Sequence, residues 1–385
     1  MKNIKVGSTL ILIILISLGS GYGQIITFDT QEVADLWQGY TPQLFASQSG
    51  SPATLVNISS LGSSNPAGIT SFDKLTFGVQ YAIRSEIQHP LLESLKYLED
   101  RKHVPQSAGM AMALGKTWLG LTYTKHFGYS TLLEGGEINS IEEPEGTGEY
   151  WEYGSQVSID RYGFVVGRSI DMPRLGGALS SGVMISYDDI YKHSFIWNSE
   201  DTKATHNISG SMGAILDFQD RFRLGIYYTM GYQKYFVESN ELSMNYGSSE
   251  FLYVASIPAS FASGASITIL PWLALSGNLD YTFWNEFHQQ KHDVLNYSAF
   301  IKLSRWSQAK LAVGIVSFNI PEPVEENNLV YALDSPDYES FYPMVSLSIQ
   351  ATSHLGINLS ATGELGESDL FYDRDMFSLS LEYTR

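Results

Sequence analysis

From Arg221 to Gln233 the chain alternates without a break. Phe222, Leu224, Ile226, Tyr228, Met230 and Tyr232 occupy one face; Arg221, Arg223, Gly225, Tyr227, Thr229, Gly231 and Gln233 occupy the other. Period two means a β-strand with one apolar side. Length then selects the solvent on that side. Strands of soluble proteins usually run about five or six residues, whereas strands crossing a bilayer need about 9–11 at a tilt near 45°. The steps from Phe222 to Tyr232 rise about 33 Å, or about 23 Å along a membrane normal, close to an outward apolar band of about 25 Å. Aromatic residues stand at both ends, as interfacial girdles do. The apolar face therefore points to lipid.

The same alternation recurs along the chain, for instance with Leu75, Phe77, Val79, Tyr81 and Ile83 on one face of the stretch 72–83, and with Phe377, Leu379, Leu381 and Tyr383 near the end. Strands are expected at 72–83, 107–115, 117–127, 150–168, 177–188, 205–218, 221–236, 250–269, 273–287, 293–304, 308–318, 341–351, 355–363 and 374–384. Tight turns (Gln219-Asp220, Leu270-Pro271-Trp272, Ala351 to Leu355) alternate with long polar loops (84–106, 128–149, 189–204, 319–340, 364–373). That asymmetry, with an even strand count, describes an all-β, transmembrane antiparallel β-barrel of about 14 strands. In 150–168 the apolar positions change phase at Asp160-Arg161; a bulge, rather than an additional turn, keeps the count even. Pro258 lacks a ladder donor and marks an expected break in the wall.

The N-terminus carries Lys2 and Lys5, an apolar run from Leu10 to Leu18 and small residues to Gly23, the pattern of a secretory signal peptide over residues 1–23. The 385-residue chain has no cysteine, which excludes a lipid-anchored Cys, disulfides and thiolate chemistry. Its formal charge of −18 argues against nucleic acid, whose phosphates need clustered Lys and Arg. Apart from the signal, no apolar run is long enough for a membrane helix.

Asn65-Pro66-Ala67-Gly68, just before the first strand, is turn chemistry: Pro66 fixes its φ and biases Asn65 from the α region. This stretch resembles the signature of the long-chain fatty acid and toluene-type outer-membrane transporters. Ile257 to Gly264, followed by Leu279-Asp280-Tyr281-Thr282-Phe283-Trp284, is similar to a second pattern of that family. The resemblance implies a signal peptide (1–23), an N-terminal plug or hatch (24–71) and a fourteen-stranded barrel (72–385). It further implies an outer-membrane location, passive uptake of hydrophobic compounds, and a plug that shifts to open a path, with Asn65, Pro66, Ala67 and Gly68 where plug meets wall. A kinked wall strand in such proteins releases ligand sideways. Expected partners are hydrophobic small molecules and outer-membrane lipid with lipopolysaccharide, the protein being a monomer. The chain ends Tyr383-Thr384-Arg385, whereas such barrels commonly end on an aromatic residue. The alternative within the same family is a closed barrel used in assembly, secretion or surface attachment.

Three further features bear on chemistry. Pro90 followed by Leu91, Leu92, Leu95 and Leu98 has the spacing of a short amphipathic helix, which could capture greasy ligand at the outer loops. Glu134, Glu137, Glu142, Glu143, Glu145, Glu149 and Glu152 form an acidic loop without calcium-loop spacing, read as a solvated segment. His288 and His292 have i,i+4 spacing at a loop, where it does not make a metal pair. No metal, cofactor or catalytic residue is assigned, and no nucleophile-elbow motif occurs; a barrel enzyme with a rim cluster of Ser, His and an acid is the third reading.

Overall fold

The computed structural model describes residues 51–54, 56–84, 88–92, 95–98, 103–137, 150–174, 176–196, 199–219, 221–238, 251–285, 293–306, 308–319, 339–362 and 376–385. The described strands are β1 (Thr76–Arg84), β2 (Gln88–Leu92), β3 (Leu95–Leu98), β4 (His103–Leu114), β5 (Thr117–Glu137), β6 (Tyr150–Met172), β7 (Gly177–Ile196), β8 (Ser199–Phe218) and β9 (Phe222–Thr229). They continue with β10 (Tyr232–Glu238), β11 (Phe251–Ile257), β12 (Ser260–Leu270), β13 (Leu273–Thr282), β14 (Val294–Leu303), β15 (Ala309–Asn319), β16 (Glu339–Gln350), β17 (Leu355–Thr362) and β18 (Met376–Thr384).

Antiparallel pairing runs from β1 through β4, β5, β6, β7, β8, β9, β12 and on to β18, which pairs back with β1; Thr76 lies opposite Thr384. The ring is a closed barrel of fourteen strands. Closure leaves no strand edge in lipid, the condition for a sheet to span a membrane. No helix among the described residues is long and apolar enough to cross.

The two faces separate as the alternation requires. On β1, Phe77, Val79 and Tyr81 are 47, 37 and 38% exposed, while Gln80 and Ala82 on the other face are 2 and 1% exposed. On β7, Val183, Ile185 and Tyr187 point out, and Met184, Ser186 and Asp188 point in. The large apolar side chains left uncovered on the outside are the lipid-facing surface. The interior is lined mostly by small and polar residues.

Differences from the expected elements have local causes. β1 begins at Thr76, because the stretch from Pro66 to Ser71 is a 3-10 helix and Phe72 closes it. The segment 189–204 is not a long loop: β7 extends to Ile196 and β8 begins at Ser199, paired throughout. β5 to β8 are 20–23 residues long, about 66 Å of path or more, so their far ends project beyond the bilayer. β6 crosses Asp160-Arg161 as one strand, with Ile159, Arg161 and Val165 all buried inward. The register shift sits opposite, in β5 between Lys125 and Phe127.

The helix expected around Leu91, Leu92, Leu95 and Leu98 is instead a hairpin. β2 pairs with β3, and β3 pairs with the far end of β5. An isolated short helix is marginal, whereas β5 offers ladder partners to the returning chain. Pro90, lacking a donor, sits on the edge strand β2, where that lack costs least. Glu134 and Glu152 are ladder partners on β5 and β6. Glu142, Glu143, Glu145 and Glu149, and the pair His288 and His292, lie outside the described residues.

Candidate functional site

The described part of the N-terminal segment, from Ser51 to Phe72, occupies the barrel interior. Ile58, Leu61 and Ile69, all fully buried, join Phe72, Ala111, Trp118, Val165 and Met184 in one apolar cluster. Burying those three aliphatic side chains contributes on the order of 5–9 kcal/mol to docking the segment. Trp118 Nε1 donates to the Phe72 carbonyl at 2.9 Å, and Thr70 Oγ1 donates to Ser180 Oγ at 2.8 Å.

What lets a chain segment lie so close to the wall is a row of inward glycines. A side chain at Gly109 would overlap the Ile58 carbonyl, one at Gly182 the Pro66 backbone, and one at Gly225 the Ala53 carbonyl. Gly167, Gly182 and Gly213 stand beside each other on β6, β7 and β8, and Gly225 faces Gly264 across β9 and β12. Glycine weakens a strand interior and is retained where another backbone approaches closely. The interior wall is thus a seat shaped for the plug's main chain.

Asn65 joins plug to wall at one point. Its Nδ2 donates to the carbonyls of Ala53 (2.9 Å), Ala214 (3.1 Å) and Ile226 (3.0 Å), the latter two on β8 and β9. Its Oδ1 accepts from Ala67 N at 3.0 Å, capping the 3-10 turn that Pro66 starts. Ala67 and Gly68 are buried behind it, and Gly68 packs against Val56. At the other end of the segment, Ser51 Oγ and Ala53 N donate to Asn278 Oδ1 on β13, at 3.2 and 3.3 Å.

The second motif reaches the same neighbourhood. Gly264 lies beneath Ser51. Asp280, 5% exposed and inward on β13, is hydrogen-bonded by Tyr227, next to the Ile226 carbonyl that Asn65 contacts. Motifs some two hundred residues apart therefore converge on β9.

Further toward the loop end the wall changes. The β8–β9 ladder ends at Ser211 opposite Thr229, followed by a last bond from Met230 N to the Gly210 carbonyl at 2.9 Å. β9 gives way to β10 at Met230-Gly231, and β11 gives way to β12 at Pro258-Ala259. β10 and β11 pair only with each other. Tyr232 at the start of this hairpin lies against Arg161 and Asp188, which face inward on β6 and β7, so the hairpin turns toward the lumen as it leaves the wall. Among the described residues no ladder joins β8 beyond Gly210 to β10. Among the described residues the ladder is thus interrupted here, beside Ile208, which is 72% exposed on the outer face.

Arg161 and Asp188 form a bidentate ion pair, with Nε and Nη2 donating to the two carboxylate oxygens at 2.7 Å each. Both side chains are almost fully buried, 2 and 0% exposed. Neither this pair nor the glycine seat was anticipated from the sequence. Among the described residues no cluster of His, Asp and Glu is arranged to hold a metal ion.

No protein-family model and no curated protein sequence matches the chain. Solved structures do. A Pseudomonas aeruginosa FadL homologue is 12% identical, with 84% of this chain and 94% of that chain covered and a TM-score of 0.57. The Ralstonia pickettii toluene transporter TbuX is 9% identical, covering 86% and 94%, with a TM-score of 0.57. The Pseudomonas putida toluene transporter TodX is 10% identical, covering 85% and 94%, with a TM-score of 0.57. This chain has the fold of those barrels.

Proposed function

We propose that this protein is an outer-membrane channel for passive uptake of hydrophobic compounds, long-chain fatty acids or aromatic hydrocarbons, exported by the signal peptide at residues 1–23. The observation that carries the reading is the plug seated on the glycine row of a barrel with the fold of a FadL homologue and of the toluene transporters TbuX and TodX. The plug is taken as residues 24–71, of which the part from Ser51 onward is described above. Its contacts with the wall are many short-range ones plus a few hydrogen bonds at Asn65, Ser51 and Thr70, an arrangement that can be undone without disturbing the ladders.

Two routes follow from the geometry. Displacement of the plug opens the lumen toward the tight-turn end. The seam between β8 and β10, where Pro258 interrupts β11 and β12, opens toward lipid, the favoured solvent of an apolar ligand. Asn65, Pro66, Ala67 and Gly68 act as the joint of the plug in this reading, and Leu91, Leu92, Leu95 and Leu98, on the hairpin at the loop end, stand where ligand would first arrive. No catalytic step is involved. The alternative, a permanently closed barrel for assembly or attachment, draws no support from the matched structures.

The test is uptake of labelled toluene and oleate by cells that carry or lack the protein. Faster entry of either compound with the protein present is expected. Equal entry of both in the two strains refutes uptake of these substrates.

A further inference from the structure

Below the plug, at the tight-turn mouth, the interior holds a cavity of about 220 Å³. Arg221, Arg223 and Lys302 line it together with the apolar residues Leu270, Trp272 and Leu273. Arg223 and Lys302 are on inward-facing positions of β9 and β14, and Arg223 lies one inward position from Gly225, so the cavity is directly beneath the plug's seat. Its cations stand out in a chain with 41 acidic and 23 basic residues: among the described residues, no carboxylate lines the cavity. Arg223 Nε is held by Asp217, its cross-strand partner on β8, in an ion pair 36 and 20% exposed. Lys302 has no hydrogen-bonding or ion-pair partner among the described residues; its charged neighbours are Lys310 and Arg223, both cations.

Like charges held together in a partly enclosed space are unfavourable unless an anion joins them. Arg223 and Lys302 line the cavity together with the Trp272 indole, which favours a ligand with both a charged and an apolar part. We infer that this cavity is a binding site for a small organic monocarboxylate, whose head is held between Lys302 and Arg223 while its ring or short chain lies along Trp272. The volume is below the roughly 300–1,000 Å³ of sites for drug-sized ligands, which limits the bound part to a single ring or the first carbons of a chain. A bare inorganic anion would leave the apolar half in contact with water. The site opens at the mouth that faces the periplasm in outer-membrane barrels. Its place on an exit path rests on the transport reading; its affinity for a carboxylate does not.

The experiment measures binding of octanoate, octanol and inorganic phosphate to the full-length protein in nanodiscs, for the natural chain, Lys302→Gln and Lys116→Gln. Lys116 is an exposed lysine at the same mouth, paired with Asp171 outside the cavity. Heat-modifiable mobility on gels establishes that each variant is a folded barrel. Saturable octanoate binding, weakened about tenfold by Lys302→Gln through loss of a charge-assisted hydrogen bond and unchanged by Lys116→Gln, is the expected result. Equal weakening in both variants, no saturable octanoate binding, or displacement of octanoate by an equal concentration of phosphate overturns the proposal. Toluene uptake by the same proteins separates the two readings: if the natural protein gives no uptake but Lys302→Gln still loses octanoate, the site stands and the transport reading falls.

Discussion

The Asn65 side chain occupies the space where a side chain at Gly213 would begin, so plug and wall are fitted to each other at the position of single atoms. The carboxamide there donates to carbonyls of two adjacent wall strands while capping its own turn. A joint of this kind holds through geometry as well as through hydrogen bonds, and each part can be tested by itself.

Substitution of the seat comes first. Gly225→Ala introduces a Cβ that overlaps the Ala53 carbonyl, and Gly356→Ala introduces one whose nearest neighbour is 3.8 Å away. Overpacking costs about 1–3 kcal/mol where backbone must shift. Gly225→Ala is expected to raise the protease sensitivity of the plug and the rate of hydrocarbon entry while the barrel keeps its heat-modifiable mobility. Gly356→Ala should match the natural protein in both measurements.

Asn65 separates the cap from the tether. Asn65→Asp keeps an acceptor for Ala67 N but has no donor for the carbonyls of Ala214 and Ile226; Asn65→Ala removes both. A buried group left without a partner costs about 1–3 kcal/mol. Both variants should fold and insert, with altered flux, and Asn65→Asp, whose buried carboxylate would face the carbonyls of Ala53, Ala214 and Ile226, should show the larger increase in plug proteolysis. Loss of the barrel itself in Asn65→Asp would show that the residue serves folding and not the joint.

The buried ion pair gives a stability test. Removing one charge, as in Arg161→Met, takes the bidentate partner from the buried Asp188 carboxylate and should cost about 3–5 kcal/mol; Arg161→Met with Asp188→Leu should be close to neutral. Urea unfolding followed by tryptophan fluorescence measures both. A double variant no better than the single one would mean that the pair does more than neutralise itself, for instance by holding Tyr232 and its hairpin.

The seam makes a separate claim. Pro258→Val supplies a backbone donor at the break, and a continuous strand there would close the gap to lipid. Entry of toluene should fall in this variant with the plug's protease sensitivity unchanged. Unchanged entry would assign passage to the lumen alone.

Much of the barrel could be read in the sequence because lipid imposes a strict rule on every strand that touches it. Phe77, Val79 and Tyr81 had to be on one face, and each of the fourteen barrel strands overlaps its expected segment. Ile159, near the middle of β6, confuses the pattern, since it is apolar and faces inward beside Ile190. The hairpin at Leu91 to Leu98 reads as a helix because spacing along the chain carries no information on a partner strand 34–38 residues away. The glycine seat was invisible for a related reason: Gly182 and Gly213 read as weak strand residues until the plug is placed against them. Arg161 and Asp188, 27 residues apart, meet only through the β6–β7 register.

Displacement of the plug as a route for a hydrophobic compound is tested most directly by tying the plug to the wall. The chain has no cysteine, so Ser51→Cys with Asn278→Cys provides a pair that can bond only within itself, at a position where the natural side chains are 3.2 Å apart. Toluene entry is measured in cells carrying this variant, oxidised and then reduced. Entry should fall in the oxidised protein and recover on reduction; equal entry in the two states would refute displacement of the plug as a route.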